Sequence, residues 1–278
     1  MPRAWVLTPL VLVVALASAG GDAAADGRHE LRVCADPNNL PFSSAREEGF
    51  ENRLAELFAR DLGTSVRYTW WPQRRGFVRH TLTAGLCDMI VGVPVGWDSV
   101  LTTRPYYRST YVFVSRRESA LTIASFDDPV LRRLRVGVQL VGQDGVNTPP
   151  AHALARRGIV ENVVGFSLYG DYAEADPPAR IIEAVAHGAV DTAIVWGPLA
   201  GYFASRQPTP LVITPVGAPG DEPGLPFTFA IAVGVRRDDT ALRDAIDRIL
   251  DRRRADITAI LDGYHVPRVE TSTAGERR

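Results

Sequence analysis

Residues 87–115, CDMIVGVPVGWDSVLTTRPYYRSTYVFVS, constrain the fold more than any other stretch, because they ask for three different elements in succession. Met89-Ile90-Val91 is a continuous apolar run after Asp88, the pattern of a strand covered on both faces in a parallel sheet, and Gly92 reads as its end. Val93-Pro94-Val95-Gly96-Trp97 has the Pro/Gly punctuation of a loop yet carries a large aromatic, and loops at the carboxyl ends of parallel strands are where ligands bind. Trp97 is therefore a candidate cleft residue. Tyr106 to Val114 reads YYRSTYVFV, aromatic and β-branched without Gly or Pro, which makes a second, longer strand that leaves the first sheet.

The rest of the chain fits around this stretch. Leu31 to Ala35 is a strand, and the polar loop Asp36-Pro37-Asn38-Asn39-Leu40-Pro41-Phe42 at its carboxyl end turns Asp36, Asn38 and Phe42 towards a cleft. Phe50, Leu54, Leu57 and Phe58 form a helical stripe ended by Gly63, Val66 to Trp70 a strand, and Trp71 to Gly76 another loop, followed by a short helix from Phe77 that ends at Gly85. Strand and helix alternating in this way make a parallel α/β unit with right-handed crossovers. Leu134 to Val138 restarts the plan. Val163 to Phe166 is its next strand, Asp176 is the expected cap before Pro177 and Pro178, and Ile181, Ile182 and Val185 line a helix. Asp191-Thr192-Ala193-Ile194-Val195 then repeats the Asp-plus-apolar pattern of residues 88–91, a weak internal echo. Residues 208–226 read as a long Pro/Gly-rich loop with one apolar island, Leu211-Val212-Ile213. Phe227 to Val235 is a return strand, and two further helical stripes end at Gly263.

At the amino terminus Arg3, the apolar run Ala4 to Ala17 and Ala17-Ser18-Ala19 match a secretory signal, so residues 1–19 are expected to be removed and the protein to be periplasmic. The run is shorter than the ~20 residues of a spanning helix, and no membrane span is expected in the mature chain. Residues 1–19 contain one arginine and no acid, so their removal moves the formal charge from -1 to -2, which argues against a nucleic-acid partner. All 31 basic residues are arginine, which excludes a Schiff-base lysine and a P-loop. Cys34 and Cys87 are an even pair in an oxidising compartment. On neighbouring strands that advance ~3.3 Å per residue their offset works against the ~7 Å Cα limit, and a disulfide and two buried thiols both stay open.

The Asp-led apolar strand, the Gly-containing loop and the Pro-Tyr before a long strand resemble bacterial periplasmic solute-binding proteins of the amino-acid-binding type, and four blocks, LRVCADPNNLPF, YTWWPQRRGFVR, GVPVGWDSVLTTRPYYRSTYVFV and DTAIVWGPLAGYFA, point to one branch of them. More narrowly they resemble the MxaJ/XoxJ-type proteins associated with pyrroloquinoline quinone (PQQ)-dependent methanol dehydrogenases, from Leu31 to about Pro267. The resemblance implies a two-lobed type II periplasmic binding protein fold, each lobe a mostly parallel sheet flanked by helices, joined by two hinge strands. Lobe one would comprise residues 27–112 plus 228–270 and lobe two residues 113–227, with a disordered tail at 271–278. The family's carboxylate-clamping arginine falls on Ser99, and its amine-binding aspartate falls on Trp196. With both ionic anchors missing, a free amino acid is not the expected ligand.

Aromatic side chains take their place in the cleft: Trp70, Trp71, Trp97, Trp196 and Phe42 all sit at strand ends or loops, where singly each would cap its own core and together they suit an apolar ligand or an inserted partner segment. Arg74, at a helix start, reads equally as a solvated tip or as an anion or partner contact. Arg104 is expected to pair with Asp36 or Asp98. No G-x-S-x-G, H-E-x-x-H or C-x-x-C pattern occurs, and only Asp36 with Glu51 offers a carboxylate pair for dehydratase-like chemistry. The resemblance thus implies a non-enzymatic accessory protein that binds no cofactor of its own. Its partner would be a PQQ-dependent methanol or alcohol dehydrogenase or the cytochrome of that enzyme, with a small apolar ligand also open. The alternative is the receptor of an ABC importer for a small apolar or aromatic solute.

Overall fold

The computed structural model describes Met1 and residues 29–142, 147–216 and 224–270, so residues 2–19 of the expected signal segment and the tail 271–278 lie outside the described residues. In chain order the first elements are β1 (Glu30–Ala35), the two-residue strands β2 (Asn38–Asn39) and β3 (Ser43–Ser44), α1 (Phe50–Leu62), β4 (Ser65–Trp70), α2 (Phe77–His80), β5 (Met89–Pro94), β6 (Leu101–Thr102) and β7 (Tyr107–Arg116). There follow β8 (Val136–Leu140), α3 (Pro149–Arg156), β9 (Val163–Ser167), α4 (Arg180–Ala186), β10 (Thr192–Trp196), α5 (Gly197–Ala204), β11 (Leu211–Pro215), β12 (Thr228–Val235), α6 (Thr240–Arg252) and α7 (Arg254–Gly263).

Strand order runs β4-β1-β5-β12-β7-β10-β8-β9, with β6 on β12 and β11 on β7. β1 is parallel to β4 and β5, and β8 is parallel to β9 and β10, so each end of the sheet is a parallel unit. β7 joins the two units. Its residues Tyr107 to Thr110 pair antiparallel with Ile231 to Thr228 of β12, whereas Tyr111 to Arg116 pair with β10 and β11. The long aromatic strand thus leaves one sheet and enters the other, and β12 brings the chain back beside it. Leu211-Val212-Ile213, expected as an island within a loop, is the core of β11, because the open edge of β7 offers it a backbone partner.

The two units repeat one another in detail. The Arg32 main-chain N–H and guanidinium both donate to Asp88, and Arg32 Nη1 reaches Gly85 O at 2.9 Å. The Arg135 N–H and guanidinium donate to Asp191 in the same way, and Arg135 Nη2 reaches Gly188 O at 2.8 Å. Each pair spans 56 residues, and the second set lies 103 positions after the first. The Asp-plus-apolar echo is therefore a structural device: an aspartate at the head of one strand is tied to the arginine that heads its neighbour. Burial raises the Asp88 carboxyl, but the hydrogen bonds from Arg32 and Arg236 outweigh it and hold it below its ordinary range.

The buried clusters follow the same division. One holds Leu31, Phe50, Leu54, Phe58, Met89, Val233, Ile246 and Leu261. Two others gather Val112, Ile182, Val195 and Phe203, and Phe113, Leu131, Val138 and Leu154. The α1 stripe is buried as its spacing requires, and Gly63 ends the helix at φ 71 with its N–H on Ala59 O and Arg60 O. Asp176, expected as a helix cap, makes no capping bond and takes a left-handed conformation before Pro177. Asp239 does cap α6, through Leu242 N at 3.1 Å.

One local expectation, the end of β5, needs correction, and the open choice at the two cysteines falls to the disulfide. Gly92 does not end β5, which continues to Pro94. The residue is glycine for another reason: a Cβ there would stand 1.9 Å from Oε1 of Glu51. Cys34 and Cys87 form a disulfide with their Cα atoms 5.6 Å apart. The strand offset misleads because Cys87 precedes β5 and belongs to a separate layer of Phe77, Val78, Leu82, Ile90 and Val93 on the face that Cys34 presents.

Candidate functional site

The site lies where β1, α1, β7, β10 and β12 converge. Its geometry starts from the loop after β1, which folds directly onto the start of α1. Phe50 N donates to Pro41 O at 2.8 Å, Glu51 N to Phe42 O at 2.9 Å, and Asn52 Oδ1 accepts from Gly49 N and Ser44 N. Gly49 has to be glycine, since a Cβ would lie 2.0 Å from Phe42 O. The loop's Asp36 and the helix's Glu51 are thereby held in one electrostatic neighbourhood.

Their environments differ. Asp36, only 4% exposed, accepts from Asn38 N at 2.8 Å, Gln73 N at 2.6 Å and the Tyr172 hydroxyl at 2.5 Å. Glu51 sits in the first turn of α1, where the helix dipole favours a carboxylate, yet burial first and Asp36 second push it up to about 8. Desolvation next to a like charge therefore exceeds the dipole. Glu51 nevertheless keeps partial accessibility, as do Gly92, Tyr106, Trp196 and Phe229. Burial also drives the Tyr106 and Tyr107 hydroxyls well above their usual range, with Glu51 adding to both, while a hydrogen bond from Trp196 to Tyr107 acts the other way. The Tyr106 hydroxyl is shut off from solvent and has no hydrogen-bond partner among the described residues.

The second unit clasps the first through residues 170–174. Besides the Tyr172–Asp36 bond, Arg74 Nη2 donates to Gly170 O at 3.1 Å with its guanidinium 5.2 Å from the Tyr172 ring centre, and Asn38 Nδ2 donates to Glu174 O at 2.8 Å. A second contact lies on the far side of the crossing strands, where Tyr202 stacks on Tyr264 at 5.7 Å and Gly201 leaves room for His265 O. Tyr172→Phe removes one hydroxyl from the clasp and leaves its ring in place. We expect the variant to have a larger radius of gyration in solution scattering and faster proteolysis within residues 168–176; unchanged values for both would show that the hydroxyl holds nothing shut.

The structure brings some of the anticipated residues together and scatters others. Asp36, Asn38 and Arg74 meet at the clasp. Phe42 packs on Phe50 at 5.5 Å, and Trp196 lies against Tyr111 at 5.4 Å and Phe229 at 5.8 Å, at the crossing of the two units. Trp70 instead stacks on Tyr68 at 4.4 Å and Trp71 on His80 at 5.6 Å, while Trp97 (39% exposed) and Ser99 lie on the exposed turn after β5. Among the described residues no ring contact joins two tryptophans. Arg104 pairs neither with Asp36 nor with Asp98. It is turned to the outer face, bonded to Asp247 and Asp251 of α6, beside a cavity of about 280 Å³ lined by Pro105, Tyr106 and Leu250. The residues that sequence reasoning missed are Tyr106, Tyr107 and Tyr172.

Two α/β units joined by crossing strands have the architecture of a two-lobed binding protein. The chain belongs to the bacterial extracellular solute-binding proteins, family 3, whose model matches residues 31–266. It is 33% identical to Protein MoxJ of Methylorubrum extorquens over 263 residues, 90% of this chain and 85% of that one. Among solved structures, the periplasmic binding protein XoxJ from Methylobacterium extorquens AM1 aligns at 34% identity and TM-score 0.71, covering 87% of this chain and all of that one. MxaJ from Methlophaga aminisulfidivorans MPT aligns at 26% identity and TM-score 0.75, covering 86% of this chain and all of the other.

Proposed function

We propose that this protein is a periplasmic, non-catalytic accessory protein of methanol oxidation, which binds a PQQ-dependent methanol or alcohol dehydrogenase or its cytochrome and assists maturation or activation. Similarity to MoxJ over nine-tenths of the chain carries this reading. The site supports it. By its resemblance to amino-acid-binding proteins the chain carries Ser99 and Trp196 in place of the two ionic anchors, which argues against a free amino acid as ligand. Lobe boundaries at 27–112 plus 228–270 and 113–227 are part of the proposal; the buried clusters follow this division except at Leu40 and Val112, which pack with the second range.

The exposed aromatic and apolar side chains at the mouth of lobe one, Trp71 at 41%, Trp97 at 39% and Val95 at 46%, are the surface we assign to the partner. Indole anchors at the centre of an interface typically contribute 2 kcal/mol or more each on truncation, roughly a thirtyfold loss of affinity. We therefore expect the protein to retain the dehydrogenase or its cytochrome in a pull-down from periplasmic extract, and Trp71→Ala combined with Trp97→Ala to lose it by more than tenfold with the fold intact. Retention by the double variant would move the interface elsewhere. Retention of neither protein, together with heat stabilisation by a small apolar solute, would favour the importer receptor.

A further inference from the structure

We infer that the cavity of about 180 Å³ beside the clasp, where Gln139 meets Phe166, Pro177 and Ile181, is a binding site for a small planar lactam, a six-membered ring with an N–H and a C=O side by side. The inference goes beyond the accessory reading and does not depend on it, because the cavity belongs to the second unit and the surface assigned to the partner, at Trp71, Val95 and Trp97, belongs to the first.

The strands place the amide. Val136 and Val138 of β8 pack in the cluster that holds Leu154 of α3, so strand alternation turns Gln139 to the opposite face of the sheet, towards Ile181 of α4. Gln139 stands opposite Phe166 in the parallel β8–β9 register, one residue from the carboxyl end of each strand, where open α/β sheets receive ligands. Gln139 is only 5% exposed, yet its side-chain amide makes no hydrogen bond among the described residues, and it is not sealed from all space as the Tyr106 hydroxyl is. A buried amide without a partner costs stability, and this one opens on a cavity from which a ligand can supply one.

Size and lining fix the class. A cavity of about 150 Å³ lined by apolar side chains holds benzene, so one slightly larger suits a six-membered ring with one or two substituent atoms. Phe166, Ile181, Pro177 and Pro178 supply apolar walls for the faces of such a ring. These walls are close-packed behind: a Cβ on Gly170 would lie 2.2 Å from Pro177 Cβ. The glutamine amide offers a donor and an acceptor side by side, and a lactam edge answers both at once.

The alternatives fit less well. Arg180 lines the cavity, but Glu174 lies 3.4 Å from its guanidinium and Asp171 also lines the wall, so an anion would meet two acids against one base. No group of three or more acidic, His or Cys side chains placed to hold a metal occurs among the described residues. A hydrocarbon ring of the same size would leave Gln139 unpaired. The cavity also shares a wall with the clasp: Gly170 O accepts from Arg74 Nη2 at 3.1 Å, and Tyr172, two residues on, donates to Asp36. A ring held against Gly170 therefore braces that contact.

Titration of the purified protein with 2-pyridone and with uracil, followed by NMR, reads both affinity and location. We expect saturable shifts at the Gln139 side-chain amide and at the main-chain amides of residues 165–171. Binding should weaken roughly tenfold or more for 1-methyl-2-pyridone, whose donor is blocked, and for the Gln139→Met variant, which keeps the volume without the amide. Toluene and benzoate should bind more weakly than 2-pyridone, and saturation with 2-pyridone should slow proteolysis within residues 168–176. Any of four results would overturn the inference: no saturable binding of either lactam, shifts confined to other residues, equal binding of the methylated ring, toluene or benzoate, or cleavage at an unchanged rate. If Gln139→Met fails to fold, the methylated ring and the shifts in the unmodified protein decide the matter. No dehydrogenase takes part, so this inference and the accessory reading fail separately.

Discussion

Glu51→Gln is expected to make the protein more stable at pH 8 and to leave it nearly unchanged at pH 5. The native carboxyl holds its proton up to about 8, whereas the unfolded chain releases it near the ordinary value of 4.5. Between those values the unfolded state binds fewer protons than the native state, so native stability falls as pH rises, by about 1.4 kcal/mol per pH unit at most. By pH 8 the loss amounts to something on the order of 3–5 kcal/mol, which for a chain of this size is a midpoint shift on the order of 10 °C. Glutamine occupies the same volume against Gly92, stays neutral throughout and keeps the stability that the protonated acid has at low pH. The comparison requires thermal unfolding of both proteins at half-unit steps from pH 5 to pH 8. Parallel curves would mean that Glu51 is ionised in the native state, and with that the like-charge argument at Asp36 would fall.

The same residue shows what a linear sequence conceals. Phe50, Leu54, Leu57 and Phe58 announce their helix by spacing, and the paired strand heads Asp88 and Asp191 announce a repeated sheet, so most of the fold was legible. An acid in the first turn of a helix reads as dipole complement, however, and only the third dimension places Gly92 beneath it and Asp36 beside it. Gly92 was misassigned as a strand end for the same cause: a missing Cβ looks like a break when the side chain that needs the space is 41 residues away. Tyr106 and Tyr107 were legible as strand residues but not as hydroxyls, because strand propensity is blind to which face meets a carboxyl. Tyr172 lies in a Gly/Asp/Pro-rich segment without periodicity, and its partnership with Asp36 spans 136 residues. The scattered tryptophans make the converse point. Position at a strand end does not fix where a side chain turns, so Trp70 and Trp71 found neighbours within their own lobe.

The clasp also bears on how the proposed partner would enter. Asp36, Asn38 and Arg74 are already bonded to residues 170–174, so a segment entering between the units there must displace Tyr172 or take over its contacts. The exposed indoles of Trp71 and Trp97 need no such opening. A partner that first docks on the rim and then competes for the clasp would bind in two steps, and Tyr172→Phe should speed the second without weakening the first.

Removal of the Cys34–Cys87 disulfide is expected to be the most damaging small change to lobe one. The bond closes a loop of 53 residues, within which lie α1, β4 and the four-residue α2. In the chain-entropy account a loop of that length withholds about 4 kcal/mol of freedom from the unfolded chain. The local structure has little with which to replace it. α2 is a single turn, and the layer it forms with Phe77, Val78, Leu82, Ile90, Val93 and Val100 is the smallest of the buried clusters described. Urea unfolding of the native protein, of the same protein with dithiothreitol, and of the Cys34→Ala/Cys87→Ala variant should give the first a clearly higher midpoint and the other two similar lower ones. In hydrogen exchange, amides of residues 71–87 should lose protection before those of β1 and β5 in both weakened forms. Coincident midpoints, or two thiols titratable in the unfolded but unreduced protein, would show that the cysteines pack as buried thiols and that the layer stands without a covalent tie. If the tie is required, the chain reaches full stability only where disulfides form, and the sulfur chemistry of lobe one becomes a test, independent of any signal sequence, of the compartment in which the protein works.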